Sequence, residues 1–256
     1  MKIDRLTHAD TRNEIICDAF LLTGIETFAQ LVAVHDDHAR RFPGQSLLFS
    51  LDDFGQAAYT CSHAIMTHDL DDTDGHDLSL VDPAAFEDGE HLGYLSTPSE
   101  FFIRRDNFIA KSANAGFEDA CARGLRLDDE ELDEILGVNA APELVLDDRI
   151  VMWVVPVSKQ PLALCAFPNG YFSADLNPFE NYALAVRLQE RYGYALFGIG
   201  ASWIGFRRHA PLDRQAALAL ADDIGRLYHL EGRGESAAKI MDILEHRDWL
   251  FLRYTE

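Results

Sequence analysis

Residues 167–208 constrain the fold most, because helix, turn and strand signals follow one another there without contradiction. Asn177 can cap free backbone amides, Pro178 suits the first helical position and Glu180 stands where a capping box needs an acid, so a helix is predicted from Pro178. Tyr182, Ala185, Leu188 and Tyr192 then recur at helical spacing, with Arg187, Glu190 and Arg191 on the other side, until Gly193 supplies a left-handed stop. Residues 194–199 and 203–207 are rich in aromatic and β-branched side chains and flank Gly200-Ala201-Ser202, which predicts an antiparallel hairpin. Upstream, residues 149–157 and 162–167 are apolar runs of strand length, the first expected to be buried on both faces.

Two familiar motifs fail on inspection. Gly198-Ile199-Gly200 begins like a dinucleotide-binding loop, but Trp203 occupies the third glycine's place and a strand follows where a helix is needed. The segment 200–205 is one residue too long for a nucleophile elbow, and no strand-to-helix turn presents Ser202. The succession of Gly170-Tyr171-Phe172, a helix ending in Tyr192-Gly193-Tyr194, a hairpin, an Ala/Leu-rich helix after Pro211 and a final Trp249-Leu250-Phe251 strand resembles an uncharacterised bacterial domain-of-unknown-function family. The resemblance covers roughly the last hundred residues, with Tyr254-Thr255-Glu256 at the place of the family's acidic C-terminal signature, and it brings no catalytic residues with it.

Charge divides the chain unevenly. Residues 1–148 hold 10 Lys and Arg against 31 Asp and Glu, whereas residues 149–256 hold 12 of each, so the entire formal charge of −21 lies in the first part. Such a field repels nucleic-acid phosphate and anionic lipid headgroups and speeds encounter with a basic protein surface. Hydrophobic residues make up 48% of the chain, enough for a substantial core, and no run approaches the eighteen apolar residues of a membrane span. The first residues, Met1-Lys2-Ile3-Asp4-Arg5, lack the apolar segment of a secretion signal, so a cytoplasmic protein is expected. Cys17, Cys61, Cys121 and Cys165 form no C-x-x-C pair and are expected as reduced, mostly buried thiols.

Along the chain, Thr11-Arg12-Asn13-Glu14 reads as a capping box for a first helix carrying Ile15, Ile16, Ala19 and Phe20. A second helix carries Ile25, Phe28, Leu31, Val32 and His35 and ends at Pro43-Gly44. Residues 46–51 and 56–67 read as a hairpin about Asp52-Asp53-Phe54-Gly55. The acidic segment 68–77 reads as an exposed loop. Thr97-Pro98-Ser99-Glu100 opens a helix through Phe101, Phe102 and Phe108, and Asp128 to Glu131 open another that ends at Gly137. Asp213 caps a helix carrying Ala217, Leu220, Ala221, Ile224, Leu227 and Tyr228, Ser236 caps one carrying Ile240, Ile243 and Leu244, and residues 249–254 close as a strand.

Three kinds of chemistry can be weighed on these residues. The acidic loop does not match a calcium-binding loop: with Gly75 as the turn glycine, positions one and twelve fall on Leu70 and Val81. A metal-dependent hydrolase similar to the HD phosphohydrolases would draw on His35, His38, His63, His68 and Asp69. Tyr171, Phe172, Phe179 and Trp203 are candidates for a ligand groove, with core packing as the plainer role. The reading preferred from sequence is an α+β protein, helices on mixed or antiparallel sheets, with a division into lobes 1–145 and 146–256 drawn from composition. Its expected role is non-catalytic: Asp69, Asp71, Asp72, Asp74 and Asp77 dock on a basic protein, in the sharpest version a toxin restrained by an immunity or antitoxin-like partner. No cofactor, nucleic acid or membrane is expected to take part.

Overall fold

The apolar run after Asp148 forms a strand, Arg149–Val155, in which only Arg149 is exposed. A strand without a polar face needs cover on both sides, and the rest of the fold supplies it. The computed structural model describes residues 1–6, 16–230, 240, 241, 243, 244 and 246–256. The strands in chain order are β1 (Lys2–Leu6), β2 (Asp18–Thr23), β3 (Ser46–Ser50), β4 (Phe86–Glu87), β5 (Glu90–His91), β6 (Arg149–Val155), β7 (Ala195–Ile199), β8 (Trp203–Arg207) and β9 (Trp249–Arg253). The principal helices are α1 (Phe28–Arg41), α2 (Phe54–Thr67), α3 (Phe101–Ser112), α4 (Phe117–Ala122), α5 (Asp129–Ala140), α6 (Pro178–Tyr192) and α7 (Arg214–Leu227). Seven strands make one mixed sheet in the order β1-β2-β6-β3-β7-β8-β9, and β4 pairs with β5 apart from it. Every neighbouring pair in the large sheet is antiparallel except β3 and β7. The fold is α+β.

Helices cover both faces. On one, Phe28 of α1 meets Phe197, Trp249 and Phe251 with ring centroids 5.3 to 5.5 Å away, and Phe49 stacks on Phe197 at 4.9 Å. On the other, Trp153 stacks on Phe167 at 4.4 Å and packs against Phe54 of α2. Cross-strand register separates these clusters: Phe49 lies beside Met152 and Leu48 beside Trp153, and successive residues of a strand point to opposite faces.

The helix α6 starts and stops as its sequence predicts. Asn177 accepts from the amides of Phe179 and Glu180, the Glu180 carboxylate reaches back to the Asn177 amide, and Gly193 ends the helix at φ +73°. The β7–β8 hairpin, α1, α3, α7 with its Asp213 cap, and β9 also form where expected. All four cysteines are free and buried.

Elsewhere tertiary pairing prevails over local pattern. Residues 18–23, expected as helix, are β2, held between β1 and β6; a short apolar run satisfies a helical stripe and a strand equally well until partners decide. The capping box at Thr11 to Glu14 and the Ser236 cap lie outside the described residues. Residues 56–67, expected as the second strand of a hairpin, belong to α2, which buries Ala57, Cys61 and Ala64 at helical spacing and is capped by Asp53. Of residues 162–167, expected as a strand, 162–166 lie in a 3-10 segment, Gln160–Ala166, with Phe167 as its C-terminal cap, and the Gln160 amide at its start donates to the carbonyls of Leu47 and Leu196. The α5 helix runs past Gly137 to Ala140. The division at residue 145 does not divide the sheet: β6 is hydrogen-bonded between β2 and β3, so strands from both sides of that point alternate.

Candidate functional site

The five residues of the metal reading are placed in separate surroundings. His35 and His38 share α1. His35 lies against Phe49 and Phe197 with Nδ1 3.1 Å from the Asp36 carboxylate, and burial holds its pKa below the ordinary value in spite of that carboxylate. His38 is buried between Phe20 and Phe42, and its Nδ1–H donates to the Val34 carbonyl at 3.0 Å. His63 lies on α2 between Tyr59 and Tyr171, and His68, at the C-terminal cap of α2, sits edge-on to Phe179. Because α1 covers the Phe49 face and α2 the Trp153 face, the sheet stands between the two histidine pairs. Asp69 is exposed at φ +46°. Among the described residues no group of three or more His, Cys, Asp or Glu side chains is arranged to hold a metal ion. Cys61 and His63 are two apart on a helix, which turns their side chains to different sides.

The acidic loop is built on α3. Leu70 is fully buried at its start, and its amide bonds to the carbonyl of Ile65, fastening the loop to the end of α2. The next residue, Asp71, accepts a two-pronged bond from Arg104, Nε at 2.6 Å and Nη2 at 2.7 Å, an arginine only 2% exposed. Burial opposes that positive charge, but the hydrogen bonds and charge of Asp71 outweigh it and hold the pKa of Arg104 above its ordinary value. One turn along α3, Asn107 donates Nδ2–H to the carbonyls of Leu70 at 3.0 Å and Asp72 at 2.8 Å, and its Oδ1 accepts from His76 at 2.9 Å. Within the loop, the Asp74 amide donates to the Asp72 carboxylate and the Ser79 amide to that of Asp77, while Gly75 turns the chain at φ +80°.

This arrangement sorts the five aspartates. Asp71 is turned toward Arg104 and anchors the loop; Asp69, Asp72, Asp74 and Asp77 are exposed. Asp69 has a distant cation in Lys111, 4.0 Å away, and among the described residues Asp72, Asp74 and Asp77 have no salt bridge. Leu80, 91% exposed, ends the run of outward side chains. The sequence reading did not single out Arg104 or Asn107, which shape the loop; their three-residue spacing on a predicted helix was the available sign that both face one side. Of the proposed groove residues, Phe179 and Trp203 are core, whereas Tyr171 and Phe172 are exposed.

The loop presents the outward carboxylates of Asp69, Asp72, Asp74 and Asp77. No family model, curated protein or solved structure matches the chain.

Proposed function

We propose that this chain is a non-catalytic binding protein whose loop 69–80 docks on a basic protein surface, with Asp69, Asp72, Asp74 and Asp77 as contacts and Asp71 as the internal anchor. The observation that carries this reading is the pairing of a loop held from beneath by Arg104 and Asn107 with three exposed carboxylates that have no cation among the described residues. Ordering such a loop before the encounter removes an entropic cost of association, and unpaired charge of one sign speeds the encounter itself. In its sharpest form the partner is a toxin with a cationic active site that the acidic surface occludes.

The test is calorimetric titration against purified basic proteins encoded beside the gene, at low and at physiological salt. The triple variant Asp72→Asn, Asp74→Asn, Asp77→Asn is expected to weaken binding by about tenfold or more, chiefly through slower association. Affinity indifferent both to salt and to that variant would reject the loop as the contact.

A further inference from the structure

After the last turn of α2 the chain enters the acidic loop, and along the outward side of that helix runs a partly exposed apolar stripe. In α2 the residues Ala57, Cys61 and Ala64 face the core, and Tyr59, His63 and Met66 follow one another at i, i+4 and i+7 on the outward side. Tyr59 is 53% exposed and Met66 63%. The stripe continues across a second segment: the His63 ring lies 4.3 Å from Tyr59 and 4.8 Å from Tyr171, and Tyr171 lies 5.4 Å from Phe172, itself half exposed. Four rings thus make an unbroken chain. Gly170 presents the last two, since it turns at φ +108° in a place where a Cβ would stand 1.8 Å from the Leu176 carbonyl oxygen.

Charge frames this stripe at both ends. Asp53 is exposed at the N-terminus of α2, and Asp69 follows Met66 by three residues and leads into the carboxylates at 72, 74 and 77. Tyr59 and Met66 are about 10 Å apart along the helix axis, a span within that of an ordinary protein contact, and the chain leads from Met66 into the loop at Asp69. An apolar centre with a polar rim is the common anatomy of such contacts. A chain of formal charge −21 with acids at both ends of the stripe does not seat a second copy of itself there, and the same charge turns away anionic membranes and nucleic acid.

We infer that Tyr59, His63, Met66, Tyr171 and Phe172 are the apolar centre of the docking surface, and that they receive a protein segment in which aromatic side chains alternate with Arg or Lys. This rests on the acidic-loop reading and extends it. The aromatic rings receive the partner's apolar side chains and the flat guanidinium groups that stack on them, while the acids at either end pair with its cations.

Three synthetic hexapeptides, alternating Arg-Trp, Arg-Ser and Glu-Trp, titrated into the isotope-labelled full chain and followed by NMR, test it. The Arg-Trp peptide is expected to bind about tenfold more tightly than Arg-Ser and to shift the Met66 methyl and the Tyr59, Tyr171 and Phe172 ring signals. Glu-Trp is expected not to bind. The double variant Tyr59→Ser, Phe172→Ser changes exposed side chains only, so its amide spectrum is expected to stay native while Arg-Trp falls to the Arg-Ser level. Equal binding of Arg-Trp and Arg-Ser with shifts confined to residues 69–80 would overturn the stripe and leave the loop reading standing. Equal binding of Glu-Trp and Arg-Trp would overturn the cationic occupant, and no binding by any peptide would overturn both.

Discussion

Gly170 and Asp52 show how single residues set limits on this molecule. At Gly170 a side chain meets both a positive φ and a backbone oxygen 1.8 Å from its first carbon, so neither rotation nor a yielding side chain can relieve the contact. Gly170→Ala is expected to cost about 3 kcal/mol or more, read as a lower urea midpoint; a midpoint unchanged from wild type would show that the 170–176 turn can rearrange. Asp52 is constrained electrostatically. Its carboxylate accepts from the amides of Ser202 and Trp203, yet burial pushes its pKa from 3.8 up to about 6. An acid raised in this way binds its proton more readily in the folded chain, so its contribution to stability falls as pH rises from about 4 to about 6. Asp175, also pushed up to about 6 chiefly by burial, acts in the same direction. Asp36 acts in the opposite sense: hydrogen bonds from Arg207 hold it at about 2, and its contribution is lost as pH falls below about 4. Asp52→Asn keeps a carbonyl acceptor at the site and is expected to flatten the stability profile between about pH 4 and pH 6, measured by urea melts in that interval. An unaltered slope would place the proton uptake elsewhere. Neither property was legible in the sequence, where Gly170 was one member of a Gly-Tyr-Phe segment and Asp52 one of two turn aspartates; both depend on what the distant chain brings alongside.

At the scale of elements, the outer edge of β9 is finished by side chains instead of another strand. Asn139 of α5 donates to the Phe251 carbonyl at 2.8 Å and accepts from the Phe251 amide at 2.9 Å, and the Tyr228 hydroxyl donates to the Arg253 carbonyl. An uncovered edge is a template for another chain. Asn139→Ala is therefore expected to cost about 3 kcal/mol for the two stranded backbone groups, to speed exchange of the Phe251 amide and to promote self-association seen in light scattering. A monomeric variant with native exchange would remove Asn139 from this role. Elements with strong local punctuation were readable: Asn177 and Gly193 bracket α6, and the Gly200-Ala201-Ser202 turn fixes the β7–β8 hairpin. The segment 54–67 was not, because Tyr59, Thr60, Cys61 and Ile65 suit a strand by propensity, while the buried Ala57-Cys61-Ala64 series that makes it a helix is evident only against the sheet. The same misreading hid the outward series Tyr59-His63-Met66, whereas the acidic loop was conspicuous from composition and only its anchoring by Arg104 needed coordinates.

At the scale of the whole molecule, the single sheet determines how the chain can be cut. Fragments 1–145 and 146–256 each hold strands whose neighbours lie in the other, since β6 pairs with β2 and β3, and β3 with β7. Each fragment alone is expected to give an undispersed amide spectrum, and the two expressed together to restore the native one. A dispersed spectrum from either alone would restore the division that composition suggested. The position of β6 also governs the order of events while the chain is being made. The strands β2 and β3 cannot join the sheet until residues 149–155 exist to lie between them, so a long incomplete segment must wait with its apolar edges open. That waiting segment, residues 1–148, holds the whole formal charge of −21, and like charge on every copy opposes the pairing of one open edge with another.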